Sequence, residues 1–442
     1  MPFYENLKAK NAISTILLLT AIIFAMSCKE CPTEPGDEVN DFALDYAGPS
    51  FVSLAFGISG SGKRNYSIQR DSLIVLTGTL HSEDTIVTDW NAEPGTTYRY
   101  RLLVKDHSET IDKSDWLSVT TMDTTSHDFT WIVDVLGENG IFWDVWAFAE
   151  DNVWAVGFVY PKWGDSEIHN CYKWDGSQWL PQDIISNYWK VHLYSIFTFS
   201  ENDIWANSSY PQHSTDSIYY LYHLYDMGLD VEPINDCWGT SSNDMYFVGN
   251  SGTIMHYDGQ SFTKMTSPTD RDLLHIDGCV DSQTGETRMW AGGWSYSESG
   301  SLIEYKDGKW ELIWDEGNYR DSESDFFGIG GIFIPNDKYV IINVGEYSMA
   351  HTEIHRQDDF NSYCLTYSDI HGSRSIYGNA INDFFEVGDG HIIHYNGKTT
   401  KKWDSASSNY RLRGINQTGD TVFIVGENMI NQNAIVIRGK RQ

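Results

Sequence analysis

The chain reads as all-β, a small antiparallel sandwich followed by a seven-bladed β-propeller. Three observations carry that reading. Apolar and polar residues alternate in short runs broken by Gly, Pro and Asn-Asp, the pattern of half-buried strands. A four-strand unit then recurs seven times between Glu138 and Gln442, about 44 residues each, which is the spacing of propeller blades. The chain is also aromatic yet polar, with 14% Phe, Trp and Tyr and a mean hydropathy of −0.39. That excludes a disordered chain and a bundle of membrane helices. Six or eight units fit the copies less well.

At 442 residues, two or three domains are expected. The net charge of −32 argues against nucleic acid, which needs clustered Lys and Arg, and against attachment through a basic patch to anionic lipid.

Lys8 and Lys10 precede an uncharged run from Ala12 to Met26, long enough for the core of a signal peptide and short for a spanning helix. The run ends in Ala25-Met26-Ser27-Cys28, which resembles the lipobox of bacterial lipoproteins. The resemblance implies a signal peptide over 1–27, cleavage before Cys28 and lipid on Cys28 as a membrane anchor. Lys29 stands where inner-membrane retention would place an aspartate, so the resemblance implies an outer-membrane lipoprotein, facing the periplasm or the cell surface. Residues 28–40, with Pro32, Pro35 and a run of acids, form a tether that buries no core.

Residues 41–124 carry alternating runs such as Val52, Leu54, Phe56 and Tyr98, Tyr100, Leu102, Val104, punctuated by Gly57 to Gly62 and Pro94-Gly95. The stretch from Ala92 to Leu102, with Tyr66 to Asp71 and Ser118 to Thr121, resembles the fibronectin type III signature around its tyrosine corner. Phe56 replaces the usual tryptophan of the second strand. The resemblance implies a spacer module.

Residues 125–442 hold the seven copies. Each has an apolar strand, a polar turn that is usually Asn-Asp, a second strand ending in a small residue, a third strand running to Asp-Gly or Asn-Gly, and a fourth opening on an aromatic. Asn243-Asp244 to Gly249, His256-Tyr257-Asp258-Gly259 and Phe262 show the whole pattern, as do Asn382-Asp383 to Gly388, His394-Tyr395-Asn396-Gly397 and Trp403. Asp-Gly and Asn-Gly are expected to make two-residue hairpins. The recurring small residue (Gly157, Asn207, Gly249, Gly293, Gly345, Gly388, Gly426) is expected to allow close packing. Of 17 Trp, eight fall at repeat positions, where aromatics fill the wedge between sheets. The last copy stops after its third strand, and Phe129 to Val133 is expected to supply the fourth and close the ring. The region resembles the WD40, YVTN and kelch-like propeller superfamily, without the Trp-Asp or kelch Gly-Gly signatures.

No catalytic motif is present. Tyr305 to Trp310 departs from the sialidase box, a Gly-x-Ser-x-Gly elbow is lacking, and Gly57 to Gly62 lacks the helix and Lys-Ser ending of a phosphate loop. His351 and His355 are four apart and His391 and His394 three apart, spacings read as not placing a pair cleanly on one strand face. His256 and His394 recur at one repeat position, which points to a structural role. No calcium-loop motif appears, though loop-bound calcium stays open, and no other cofactor is expected. Cys237 and Cys279 read as buried free thiols rather than a disulfide.

The clue to function is an asymmetry of faces. Loops between second and third strands read as long in the first, second, fourth, fifth and seventh copies, and carry Tyr160, Trp163, Tyr210, Trp294, Tyr296 and Tyr347. Connections between copies on the same face add Trp189, Tyr319 and Arg320. Tyr, Trp and Arg dominate interface hot spots, and flat aromatics stack on sugars. The expectation is a non-enzymatic, monomeric binding or scaffold protein recognising an envelope or extracellular protein or glycan. The alternative is a propeller hydrolase or lyase acting on extracellular glycans, which should show convergent acids or histidines at the channel.

Overall fold

The structure is a computed structural model describing residues 39–58, 64–80, 84–106, 109–186, 189–215, 218–295, 298–315, 328–344, 351–357, 362–366, 372–403 and 409–442. The chain divides into two compact units, Met1–Thr121 and Met122–Gln442. Among the described residues both are built of β-strands, with one short 3-10 turn at Asn250–Gly252.

The first unit sets a three-stranded sheet (Val39–Ala47, Val52–Ile58, Asp84–Asp89) against a second sheet built on Arg64–Arg70 and Thr97–Asp106. Val52, Leu54, Phe56, Ile68, Tyr100, Leu102 and Val104 form one buried cluster, the inward half of the alternation. Phe56 meets Tyr66 edge-on at 5.3 Å, filling space that a larger ring would take. The Glu93 backbone N–H donates to Tyr98 Oη at 2.9 Å. That bond ties the sixth strand back to the loop before it, in the manner of a tyrosine corner.

The second unit contains seven sheets among its described residues. The first comprises Asn139–Ala149, Asn152–Tyr160, His169–Trp174 and Trp179–Pro181; the same four-stranded antiparallel order recurs in the rest except the second sheet, where Ile185–Ser186 and Trp189–Lys190 add two short strands, the former parallel to Ile218–Leu221. The seventh closes as Tyr410–Thr418, Thr421–Asn428, Ala434–Arg441 and then Phe129–Gly137. The segment before the first copy therefore pairs with the last strand of the chain, from Gly137 opposite Ala434 to Phe129 opposite Arg441. First strands of successive sheets are neighbours, and that of the seventh touches that of the first. Apolar clusters fill the wedges between sheets: Trp154 with Ile196 and Ile204, Trp205 with Phe247, Trp290 with Ile332 and Val340.

The glycine recurring late in the second strands has a specific cause in four of the sheets. A Cβ there would lie 2.1 Å from Ile141 O at Gly157, 2.2 Å from Pro233 O at Gly249, 2.3 Å from Gly372 O at Gly388 and 2.0 Å from Arg411 O at Gly426. The first strand bulges at this point in the first, third, sixth and seventh sheets, and its carbonyl occupies the space a side chain needs.

Four expectations need correction. Asp307-Gly308 makes a two-residue turn with positive φ at both positions, but the other turns are longer. Asp175 Oδ1 accepts from the backbone N–H of Ser177 and Gln178, and Asp258 and Asn396 do the same two and three residues on. The short side chain substitutes for the second positive φ by closing an Asx turn. The loop expected in the fourth copy is strand: Thr287–Ser295 and Glu298–Lys306 stay paired as far as Ser295 opposite Glu298, because Trp and Ser continue the ladder. The loop expected in the second copy is the three residues 208–210, where Ser208 Oγ caps Tyr210 N–H. Finally, His351 and His355 both lie on His351–Arg356, and four residues on a strand return to the same face.

Candidate functional site

The first strands surround a cavity of about 330 Å³ lined from all seven sheets, by Asp144, Ser195, Asp236, Asp277, Ile332, Tyr377 and Asn416 among others. The three aspartates occupy it for a reason visible in their bonding. Asp144 takes the N–H of Val145 on one oxygen and that of Ile196, in the next sheet, on the other at 2.9 Å. Asp236 does the same with Cys237 and Ile276, and Asp277 with Gly278 and Ile334. Each carboxylate thus joins its own strand to the neighbouring sheet, occupying backbone donors that face the channel. Burial raises Asp144 to about 6 and Asp277 to about 7 against the opposing pull of those N–H groups, and burial with Asp144 nearby raises Asp236 well above the usual carboxylate range.

At one end, where first strands begin and second strands finish, the wall changes character. Trp143, Tyr194, Asn235, Leu274, His275, Trp294, Arg374 and Arg413 line a second cavity of about 180 Å³. Arg374 holds Asp389 bidentately at 2.8 and 3.0 Å. Arg411 stands between Asp389 at 3.5 Å and Glu427 at 3.3 Å. Arg413 lays its guanidinium on Trp143, 3.9 Å from the ring centre, and reaches Glu427 at 3.4 Å. Burial, then the neighbouring Arg374, lower Arg413 to about 10, still charged at neutral pH. Burial also lowers His275 to about 4, leaving it neutral. Three arginines face two carboxylates on a chain of net charge −32.

Of the residues singled out from sequence, the structure brings Trp294 to this mouth. Trp163 is 67% exposed, on the loop after Asn152–Tyr160, its N–H held by Glu138 at 3.0 Å. Tyr160 packs edge-on against Phe158. Tyr210 packs beside the buried cluster of Trp205 and Phe247 and so covers core. The backbone of Trp189 lies in the two-residue strand Trp189–Lys190. Cys28, Tyr296, Tyr319, Arg320 and Tyr347 lie outside the described residues. Trp143, Arg374 and Arg413 were missed because nothing in a single strand marks them. Their meeting depends on three sheets far apart in sequence.

The recurring histidines have a shared partner. His213, His256 and His394 each meet the aspartate that opens the preceding strand, Asp203, Asp244 and Asp383, at 2.8, 2.7 and 2.9 Å. Each also stacks on the aromatic two residues further along, Trp205, Tyr246 and Phe385. Cys171, Cys237 and Cys279 are free thiols. Among the described residues no three His, Cys, Asp or Glu side chains group so as to hold a metal ion.

The solved structure of YCF48 bound to a D1 peptide is similar, with a TM-score of 0.51 and 15% identity, covering 71% of this chain and 95% of that one. YCF48 from Cyanidioschyzon merolae gives 0.50 and 13%, covering 70% and 98%. The WD40 β-propeller domain of Doa1 gives 0.48 and 12%, covering 70% and 95%. The likeness is one of fold. This chain is all-β with propeller-like neighbours. No protein-family model matches it, and no curated protein matches its sequence.

Proposed function

We propose that the second unit is a seven-bladed β-propeller and that its mouth at Trp143, Tyr194, Trp294, Arg374 and Arg413 recognises a partner without chemical turnover. The observation that carries this reading is the mouth itself: aromatic and arginine side chains, the hot-spot types, held on strand ends rather than mobile loops. Protein is the favoured ligand class and glycan the alternative. YCF48, similar in fold, is seen bound to a peptide. The lipobox-like Cys28 supports reading the protein as an outer-membrane lipoprotein, with residues 28–40 linking the anchor to a fibronectin type III-like module and the propeller.

The test is capture from intact envelope by the full chain and by the Trp163→Ala/Trp294→Ala variant. The expected result is a partner retained by the first and reduced at least tenfold with the second. Equal capture by both removes this face as the binding surface. A mass measurement showing no acyl group on Cys28 overturns the anchor.

The hydrolase or lyase alternative has one observation in its favour, the three acids of raised pKa in the channel. Against it, both oxygens of each already accept backbone N–H bonds that hold sheets together. A general acid or nucleophile needs an oxygen directed at substrate.

A further inference from the structure

Arg413 is under-used where it stands. Its Nε is buried without a hydrogen-bond partner, and its ion pair with Glu427 is long at 3.4 Å. A guanidinium offers five donors in a planar fork suited to a carboxylate, and stacking on Trp143 fixes that plane. Among the described residues, two carboxylates, Asp389 and Glu427, pair with these three arginines. Inward from them, the channel is lined by Asp144, Asp236 and Asp277, whose oxygens already accept the backbone N–H groups there, so the donors open to a carboxylate are at the mouth.

A second feature adjoins it along the chain. Glu427, the partner of Arg411 and Arg413, is the last residue but one of Thr421–Asn428, next to a loop that exposes Met429 and Ile430, the latter by 73%. Gln432 of that loop accepts the Gly140 N–H at 3.0 Å, and Glu138 holds the Trp163 loop. Both loops are therefore fastened to residues 138–140, and they expose the apolar side chains of Trp163, Met429 and Ile430. Met and Ile have no hydrogen-bonding atoms for sugar hydroxyls, whereas an apolar amino-acid side chain suits them.

We propose that this mouth is a carboxylate-recognition site for an extended peptide, in which Arg413 set on Trp143 takes the carboxylate and the exposed Trp163, Met429 and Ile430 take an adjoining apolar side chain. The inference rests on the reading of this face as a recognition surface and names its ligand. The carboxylate can come from a chain terminus or from Asp or Glu.

The test pans two random-peptide display libraries against the full chain, one presenting free C-termini and one presenting only internal residues. Enrichment in the first alone assigns the terminus, and enrichment of Asp or Glu in the second assigns the side chain. Selected sequences are expected to carry Leu, Ile, Phe or Met beside the carboxylate. Binding of a selected peptide, followed by fluorescence anisotropy, should weaken at least tenfold when its carboxylate is amidated and by a similar factor with Arg413→Gln. Ile430→Ser, a surface change, should cost severalfold. The amidated peptide keeps the test decisive should Arg413→Gln fail to fold. Selected peptides without acidic bias, or indifferent to amidation, overturn the carboxylate assignment while the recognition face stands. Selection of no peptide from either library overturns the proposal, and the Trp163→Ala/Trp294→Ala capture then decides the fate of the face.

Discussion

Asp277 shows how one residue type takes opposite roles in this chain. On the surface, Asp175 is held at about 2 by a Ser177 side chain and two backbone N–H groups. In the channel, burial lifts Asp277 to about 7 despite two N–H bonds. Asp383 lies between these cases: burial works to raise it, but His394, Arg441 and Asn379 together hold it at about 2. The signs differ accordingly. A carboxyl raised in the folded state keeps a proton that the unfolded chain has lost, so its contribution is present at low pH and fades as pH rises through the folded value. Asp144 and Asp277 therefore make the second unit progressively less stable as pH rises from about 4 to about 7, whereas the contribution of Asp383 is lost only toward pH 2. Asp277→Asn should flatten the dependence of stability on pH between about 4 and 7, by up to one proton or about 1.4 kcal/mol per pH unit. An unchanged slope would show that Asp277 is ionised throughout. None of this was legible in the sequence, where channel and turn aspartates look alike. The structural histidines were legible, because recurrence at one position marks them.

At the scale of elements, the recurring glycines were read correctly as positions of close packing, and the structure supplies the atom they approach. Gly426→Ala sets a Cβ 2.0 Å from Arg411 O, and both partners are backbone, so the bulge has to move. A cost of about 1–3 kcal/mol is expected from such overpacking, measurable by chemical denaturation. Gly164→Ala, on an open loop where an added Cβ meets nothing, is the control; its φ of +86° adds only local strain. Loop lengths were read less well. Trp294 was expected on a long, aromatic loop, yet the residues there alternate as a strand requires, and the ladder continues through it. The structure instead puts Trp294 on the strand Thr287–Ser295 that lines the mouth.

Over the whole molecule, closure is the feature with most leverage. Phe129–Gly137 and Ala434–Arg441 come from opposite ends of the second unit and complete one sheet. Arg438 reinforces the seam through Asp134, and Lys440 reaches Glu150. Ending the chain at Asn433 removes the third strand of that sheet and strands the fourth, exposing Ile435 and Ile437's buried partners. The expected result is loss of the single cooperative unfolding transition of this unit, read by calorimetry, because an open array leaves two unpaired edges. A transition unchanged in Tm would show that the seam is dispensable.

The sequence by itself determined the all-β class and the strand that pairs with the last of the chain, since these follow from local alternation and from turn residues that act within a few positions. It also named Trp294 among its candidates. Only the tertiary structure decided what lines the mouth with it. Trp143, Arg374 and Arg413 belong to different sheets, and the channel aspartates bond across sheet boundaries. Such neighbours are set by the closing of the ring, and no local pattern in the chain encodes which distant side chains will share a mouth or which carboxyls will lose their water.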